Sequence, residues 1–96
     1  MTGSTLSSEG LDERRRKLLF RSWHRGTREM DFMMGRFADL WLVGLSDADL
    51  GDFERLIEVP DPELYDWIAG NIAPRAPYDT ELLRRMRAFH AGANNQ

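Results

Sequence analysis

The sequence contains no cysteine, and this absence excludes a disulfide framework and a thiolate metal site. It also lacks any apolar run near the ~18–20 residues that cross a bilayer, so we expect no membrane insertion. The opening segment MTGSTLSSEG has no lysine, no arginine and no apolar stretch. It resembles neither a secretory signal nor an arginine-rich transit peptide, so we expect a protein that stays in the compartment where it is made.

The net charge of −3 conceals two regions of opposite charge. Residues 14–28 hold seven basic side chains and no acid, whereas residues 47–66 hold eight acids and one base. A basic segment of this kind suits nucleic acid, an anionic membrane or an acidic protein surface. Nucleic-acid readers are usually basic overall. This chain is acidic overall, so a small helical nucleic-acid-binding module that uses the basic first helix is kept as the alternative interpretation.

Apolar residues recur at helical rather than strand spacing along most of the chain. With 96 residues and a hydrophobic fraction of 42%, the chain can form one domain with a modest core. No window alternates as a strand does. We predict an all-α fold, a small five-helix bundle over residues 11–90, with flexible tails at 1–10 and 91–96. The helices are expected near residues 11–24, 28–42, 46–57, 61–69 and 79–90.

Each predicted helix has one apolar face that should point into a shared core. The second helix has the clearest period, and its Phe32 lies outside the apolar stripe. An exposed Phe32 indicates either an interface contact or packing on the first helix or the C-terminal segment, and these alternatives stay open. The predicted inward residues are Leu11, Leu18, Leu19, Trp23, Met30, Met33, Met34, Phe37, Leu40, Trp41, Leu50, Phe53, Leu56, Ile57, Leu64, Tyr65, Trp67, Ile68, Leu82, Leu83, Met86 and Phe89.

Glycines and small polar residues mark the predicted helix ends. Gly26 is placed to end the first helix, because glycine accepts a left-handed conformation without steric cost. Oxygen-bearing side chains are placed to accept hydrogen bonds from the free N–H groups at helix starts. The predicted capping residues are Thr27 or Gly26, Ser46, Asp61, and Asp79 or Thr80.

The segment RGTRE at residues 25–29 joins the first two predicted helices. A plain turn accounts for Gly26, Thr27 and Glu29, the last because an acid suits the first turn of a helix. It leaves the two arginines of the segment without a structural role. Arg25 and Glu29 are four residues apart, but an exposed pair contributes only ~0.3–0.5 kcal/mol. Two guanidiniums and a carboxylate on one corner favour recognition of a partner. Alanine at Arg25 or at Glu29 should then leave the melting temperature nearly unchanged.

Metal-binding and catalytic alternatives find less support in the sequence. His24 and His90 lie far apart, and neither has the neighbouring ligands of a zinc site. An enzyme built on Glu29 with His24 would need a cleft for which so small a helical domain has little room. We therefore predict no metal site and no enzymatic activity.

RGTRE matches the RGxxE motif of the SdhE/Sdh5 family, small assembly factors also called succinate dehydrogenase assembly factor 2. RGTREMDFMMGRFAD resembles the second helix of that family, and LSDADLGDFERLIEVPDPELYDWIAG resembles its third and fourth helices. The likeness covers about residues 12–90. It implies a five-helix bundle that binds the flavoprotein subunit of succinate dehydrogenase, and in bacteria often that of fumarate reductase. The family promotes covalent attachment of FAD to a histidine of this client.

The resemblance also implies where the client binds. The implied contact residues are Arg25, Gly26 and Glu29. Further partner-binding candidates are Arg28, at a variable position of the motif, and Arg21, Asp31 and Phe32 beside it. The sequence has no glycine-rich phosphate cradle after a strand. We therefore expect the protein to act on the FAD of the client without binding FAD stably itself. We further expect a monomer in the bacterial cytoplasm.

Overall fold

The computed structural model describes residues 9–94, which form five α-helices and two short 3₁₀ turns with no strand among them. The helices are α1 (Glu13–Trp23), α2 (Arg28–Trp41), α3 (Asp47–Ile57), α4 (Asp61–Ala69) and α5 (Glu81–Asn94). The 3₁₀ turns are Leu42–Gly44 after α2 and Ala76–Tyr78 before α5. The prediction of an all-α five-helix bundle is confirmed.

The C-terminal helix is longer than the sequence pattern indicates. α5 continues to Asn94, beyond the predicted end at residue 90. Residues 1–8 and 95–96, which belong to the predicted tails, lie outside the described residues. None of the helices within residues 9–94 has the length and apolar character that a membrane span requires.

Side-chain oxygens cap the N-termini of four helices. Each accepts a hydrogen bond from the backbone N–H three residues later, and so satisfies a donor that the helix leaves free. The capping residues are Asp12, Thr27, Ser46 and Thr80, at 2.8, 3.3, 3.1 and 3.2 Å. The predicted cap at Asp61 is wrong, because Pro60 holds the N-cap position of α4 without a side-chain bond. Pro62 in the first turn leaves that helix one donor fewer to satisfy.

The core draws on apolar residues from all five helices, as the helical period predicts. The buried residues that confirm the prediction are Leu18, Leu19, Trp23, Met30, Met34, Phe37, Leu50, Phe53, Leu56, Ile57, Leu64, Trp67, Ile68, Leu82, Leu83 and Met86. Leu11, Met33 and Phe89 are partly buried and pack against this core. Each buried side chain of this size contributes about 1.5–3 kcal/mol, so the core is the main source of stability.

Three of the predicted inward residues face solvent instead. Leu40 is 68% exposed, Trp41 42% and Tyr65 38%. The chain leaves the α-helical path after Trp41 for a 3₁₀ turn, so Leu42 takes the next core position. On α4 the inward residues follow a spacing of three and four, and Tyr65 lies about 100° around the helix from its neighbour Leu64.

α1 and α2 pack closely where the indole of Trp23 lies on Gly35. A Cβ atom at Gly35 would lie 2.2–2.7 Å from three atoms of that ring, far inside van der Waals contact. Trp23 is 2% exposed, and its Nε1–H donates to Asp39 Oδ1 at 3.1 Å. This contact sets how α1 lies against α2, and therefore the geometry of the corner that joins them.

Candidate partner-binding site

The side chain of Arg25 points into the protein and is only 9% exposed. Its Nε and Nη2 donate to Asp61 Oδ1 at 2.9 and 2.5 Å. Its Nη1 donates to the carbonyl of Ile57 at 2.5 Å, and its Nη2 also donates to the carbonyl of Val59 at 2.9 Å. Arg25 thus ties the α1–α2 corner to the segment between α3 and α4.

The expectation that Arg25 is an exposed charge on the corner is therefore wrong. Ile57 is the last residue of α3, and the final carbonyls of a helix lack intrahelical partners and favour a cation. The carboxylate of Asp61 stands beside them at the start of α4. A guanidinium has several N–H donors and satisfies all of these acceptors at once. Pairing with Glu29 would give Arg25 only one exposed carboxylate.

Asp31 holds the backbone of the same corner. Its Oδ1 accepts the backbone N–H of Arg25 at 2.6 Å and that of Gly26 at 3.2 Å. Gly26 has φ +114°, a backbone conformation that is strained for any residue with a side chain. The strain comes from the backbone alone, because an added Cβ would meet no atom within 4 Å. α1 already ends at Trp23. Glycine is therefore required by the shape of the corner and not by the helix end, and Asp31 has a structural role there.

Glu29, Arg28 and Phe32 face outward from the corner, and all three are exposed. Within residues 9–94, no ion pair or hydrogen bond engages the side chains of Glu29 or Arg28. Phe32 is 47% exposed, and its ring meets the Trp23 ring edge-on with centroids 6.0 Å apart. Packing of Phe32 on α1 is therefore confirmed, and the interface contact stays a prediction that its exposed surface allows.

The imidazole of His24 contacts Phe20 of α1. Its Nδ1–H donates to the carbonyl of Phe20 at 2.6 Å, and the two rings stack with centroids 3.9 Å apart. No hydrogen bond joins His24 to Glu29 in the described part of the chain, so the two do not form an acid–base pair. The described residues also contain no cluster of three metal-ligating side chains.

Acids from α3 neutralise much of the basic face of α1. Arg14 donates from Nε and Nη2 to Glu54, both at 2.9 Å, and this hydrogen bonding holds the pKa of the Glu54 carboxyl below its ordinary value. Arg21 pairs with Glu58 at 2.7 Å and lowers the pKa of that carboxyl in the same way. Arg15 donates to the backbone carbonyls of Leu42 and Leu45, in and just after the first 3₁₀ turn. Of the seven basic side chains at residues 14–28, only Arg16 and Arg28 lack an ion pair within residues 9–94.

We expect no appreciable nucleic-acid binding by the wild-type chain. Phosphate binding needs free cations and is recognised by its steep salt dependence, and four of the five cations of α1 are paired. Fluorescence polarisation with labelled DNA and RNA at physiological salt checks this. A Glu54→Gln, Glu58→Gln variant releases Arg14 and Arg21 and should bind more tightly than wild type. Salt-sensitive binding by wild type below about 1 µM protein would contradict the expectation.

A groove of about 260 Å³ lies beside the corner, between α2, α4 and α5. One wall is a stripe along α2 of Glu29, Phe32, Met33 and Arg36, and the other is formed by Tyr65, Phe89 and His90. The sequence-based assignment included Glu29 and Phe32 but missed the rest. The spacing of three and four from Glu29 to Arg36 was the available signal on α2. No sequence signal brings Tyr65 and Phe89 to that stripe.

Comparisons with known proteins identify the family of this chain. A family profile described as Sdh5, flavinator of succinate dehydrogenase, matches residues 16–90. The chain belongs to the Sdh5 family. The matched range contains the whole RGTRE corner and all residues that line the groove beside it, so the resemblance drawn from the sequence is confirmed.

Individual Sdh5 relatives carry corresponding names. The FAD assembly factor SdhE of Acetobacter pasteurianus is 39% identical over 85 residues, which is 88% of this chain and 78% of that protein. The mitochondrial succinate dehydrogenase assembly factor 2 of Dictyostelium discoideum is 34% identical over 74 residues, 77% of this chain and 52% of that protein. This chain thus spans about half of the Dictyostelium relative. These names denote assembly factors rather than catalysts, in agreement with the expectation of a non-enzymatic protein.

Proposed function

We propose that this Sdh5-family chain binds the flavoprotein subunit of succinate dehydrogenase and promotes covalent attachment of FAD to it. The construction of the RGTRE corner supports this most directly. Arg25 and Asp31 bond inward and fix the corner, while Glu29 is presented at its surface without an internal partner. Such a carboxylate is available to a cation or to N–H donors of a client. The flavoprotein of fumarate reductase is proposed as a second client.

The corner residues divide into two roles under this proposal. Arg25, Gly26 and Asp31 are positioning residues, because their bonds and backbone conformation shape the corner. Glu29 contacts the client directly, and Arg28 and Phe32 extend its surface. The flavin–protein bond forms in the client's own site. A factor without a catalytic group can assist by holding the client in the reactive arrangement, since correct positioning is worth several kcal/mol of barrier.

We also propose that the chain acts as a monomer in the bacterial cytoplasm and does not hold FAD stably. Dinucleotides are commonly bound where a strand meets a glycine-rich turn at a helix start, and residues 9–94 form no strand to build that cradle. The similarity to the SdhE of a bacterium, Acetobacter pasteurianus, supports the bacterial setting. Equilibrium dialysis against FAD checks the cofactor statement.

Alanine at Glu29 should separate the proposed function from stability. Because Glu29 is exposed and unpaired within residues 9–94, Glu29→Ala should leave the melting temperature within about 2 °C of wild type. Binding of the flavoprotein should weaken by about 1–3 kcal/mol, since a client donor loses its acceptor. Covalent flavin on the client should fall in parallel. The measurements are a thermal melt, a binding titration and in-gel flavin fluorescence.

Glu13→Ala provides the matched control. Glu13 is also an exposed acid in the first turn of a helix, but it lies on α1 away from the corner. Its loss should alter neither client binding nor flavinylation. Normal flavinylation with Glu29→Ala would show that the corner is only a turn and that the client binds elsewhere.

A further inference from the structure

The groove beside the corner has an apolar floor with an unpaired charge toward each end. Phe32 and Tyr65 are 47% and 38% exposed, which is unusual for large rings that already contact other side chains. Glu29 and Arg36 stand seven residues apart on the same wall, which is two helical turns or about 10.5 Å along α2. Neither has an ion pair or side-chain hydrogen bond in the described range, whereas most other arginines there do.

The size of the groove limits what it can hold. At about 260 Å³ it is smaller than the roughly 300–1,000 Å³ of sites for drug-sized molecules. It suits one large side chain with its flanking backbone. An extended chain in the polyproline II form has three residues per turn and rises about 3.1 Å per residue. Two residues three positions apart therefore lie on the same side of such a chain and span about 9 Å, close to the separation of the two charges.

We propose that this groove docks an extended segment of the flavoprotein client in which an apolar side chain lies between a basic and an acidic residue three positions apart. The basic residue pairs with Glu29, the acidic residue pairs with Arg36, and the apolar side chain rests on Phe32 and Tyr65. The inference depends on the proposed function, because it names the chemistry of the client surface that the corner engages.

Two other occupants fit the groove less well. The N-terminal segment MTGSTLSSEG has one acidic and no basic side chain, so its side chains offer a partner to Arg36 but none to Glu29. A second copy of the chain related by a twofold axis would pair Glu29 with the other Arg36. It would also place groove against groove and leave the apolar hollow unfilled, which is costly.

Photo-crosslinking identifies the occupant directly. We would place benzoylphenylalanine at position 65, mix the full chain with the purified flavoprotein subunit of succinate dehydrogenase, and sequence the crosslinked peptide by mass spectrometry. The expected peptide comes from the flavoprotein and carries a base and an acid three positions apart around an apolar residue. A crosslink to a second copy, to the chain's own N-terminus, or to a client segment without this pattern would overturn the proposal.

Affinity measurements give an independent test. Arg36→Glu and Tyr65→Ser should each weaken flavoprotein binding about tenfold or more, with melting temperatures near that of wild type because both side chains are partly or fully exposed. The matched controls are Arg16→Glu, an exposed base on α1, and Leu40→Ser, an exposed apolar residue at the far end of α2. Neither control should alter the affinity.

The outcomes distinguish this inference from the function on which it rests. If wild type binds the flavoprotein and both groove variants bind equally well, the groove is not the docking site and the proposed function stands. If Glu29→Ala alone weakens binding, the client touches the corner without entering the groove. If wild type does not bind the flavoprotein at all, the proposed function fails and the inference fails with it.

Discussion

Arg25→Ala should lower the free energy of unfolding by about 2–4 kcal/mol. The substitution removes a guanidinium whose side chain is only 9% exposed. It leaves the carboxylate of Asp61, whose side chain is 26% exposed, without its cation. The carbonyls of Ile57 and Val59 lose their donors as well. For a domain of this size the melting temperature should fall by roughly 10 °C or more. This reverses the expectation of a neutral substitution that the sequence alone supports.

Two further variants decide whether the buried bonds cause that loss. Arg21→Ala removes a guanidinium that is 48% exposed and pairs with Glu58, and it should leave the melting temperature within about 2 °C of wild type. A double-mutant cycle of Arg25→Ala with Asp61→Ala should show strong coupling, because both changes remove the same bond. A wild-type melting temperature for Arg25→Ala would mean that the side chain points to solvent.

Gly35→Ala should destabilise the fold by about 1–3 kcal/mol or more. The added methyl would lie 2.2 Å from the nearest atom of the Trp23 indole, and a rigid ring packed in the core cannot move aside as a flexible side chain can. α1 must separate from α2, or Trp23 must leave its position and lose its bond to Asp39. Urea unfolding measures the effect, and a fall in tryptophan burial should accompany it.

Gly51→Ala is the control for the helical glycine. Gly51 also lies within a helix, but a Cβ there meets only Arg14 Nη2, at an ordinary 3.7 Å. Alanine should therefore be neutral or stabilising by up to about 1 kcal/mol, because it has the higher helix propensity. Equal stability of the Gly35→Ala variant and wild type would show that the two helices are further apart in solution.

Local rules carried most of the fold prediction. Thr27 and Ser46 cap helices in the structure because a helix start is decided by a few adjacent residues. The core faces also follow from spacing alone. Leu40 and Trp41 were misplaced because the helical period does not show where the chain changes to a 3₁₀ path, and that change brings Leu42 into the core.

The candidate site depended on information that local patterns lack. The motif located the corner, but it did not show that Arg25 points inward while Glu29 points outward. That difference comes from Asp61, 36 residues away along the chain. The groove was missed for the same reason, because Tyr65 and Phe89 reach α2 only through the packing of α4 and α5.

The double attachment of the corner, through Arg25 to Asp61 and through Asp31 to the backbone of Gly26, affects the kinetics of association. Ordering a residue costs about 1–2 kcal/mol of conformational entropy. The corner is already ordered when the chain folds, so binding of a client does not have to order it. A surface that needs no rearrangement associates at the roughly 10⁵–10⁷ M⁻¹ s⁻¹ of rigid docking. Changes at Glu29 should therefore alter how long the complex lasts, whereas changes that free the corner should alter how fast it forms.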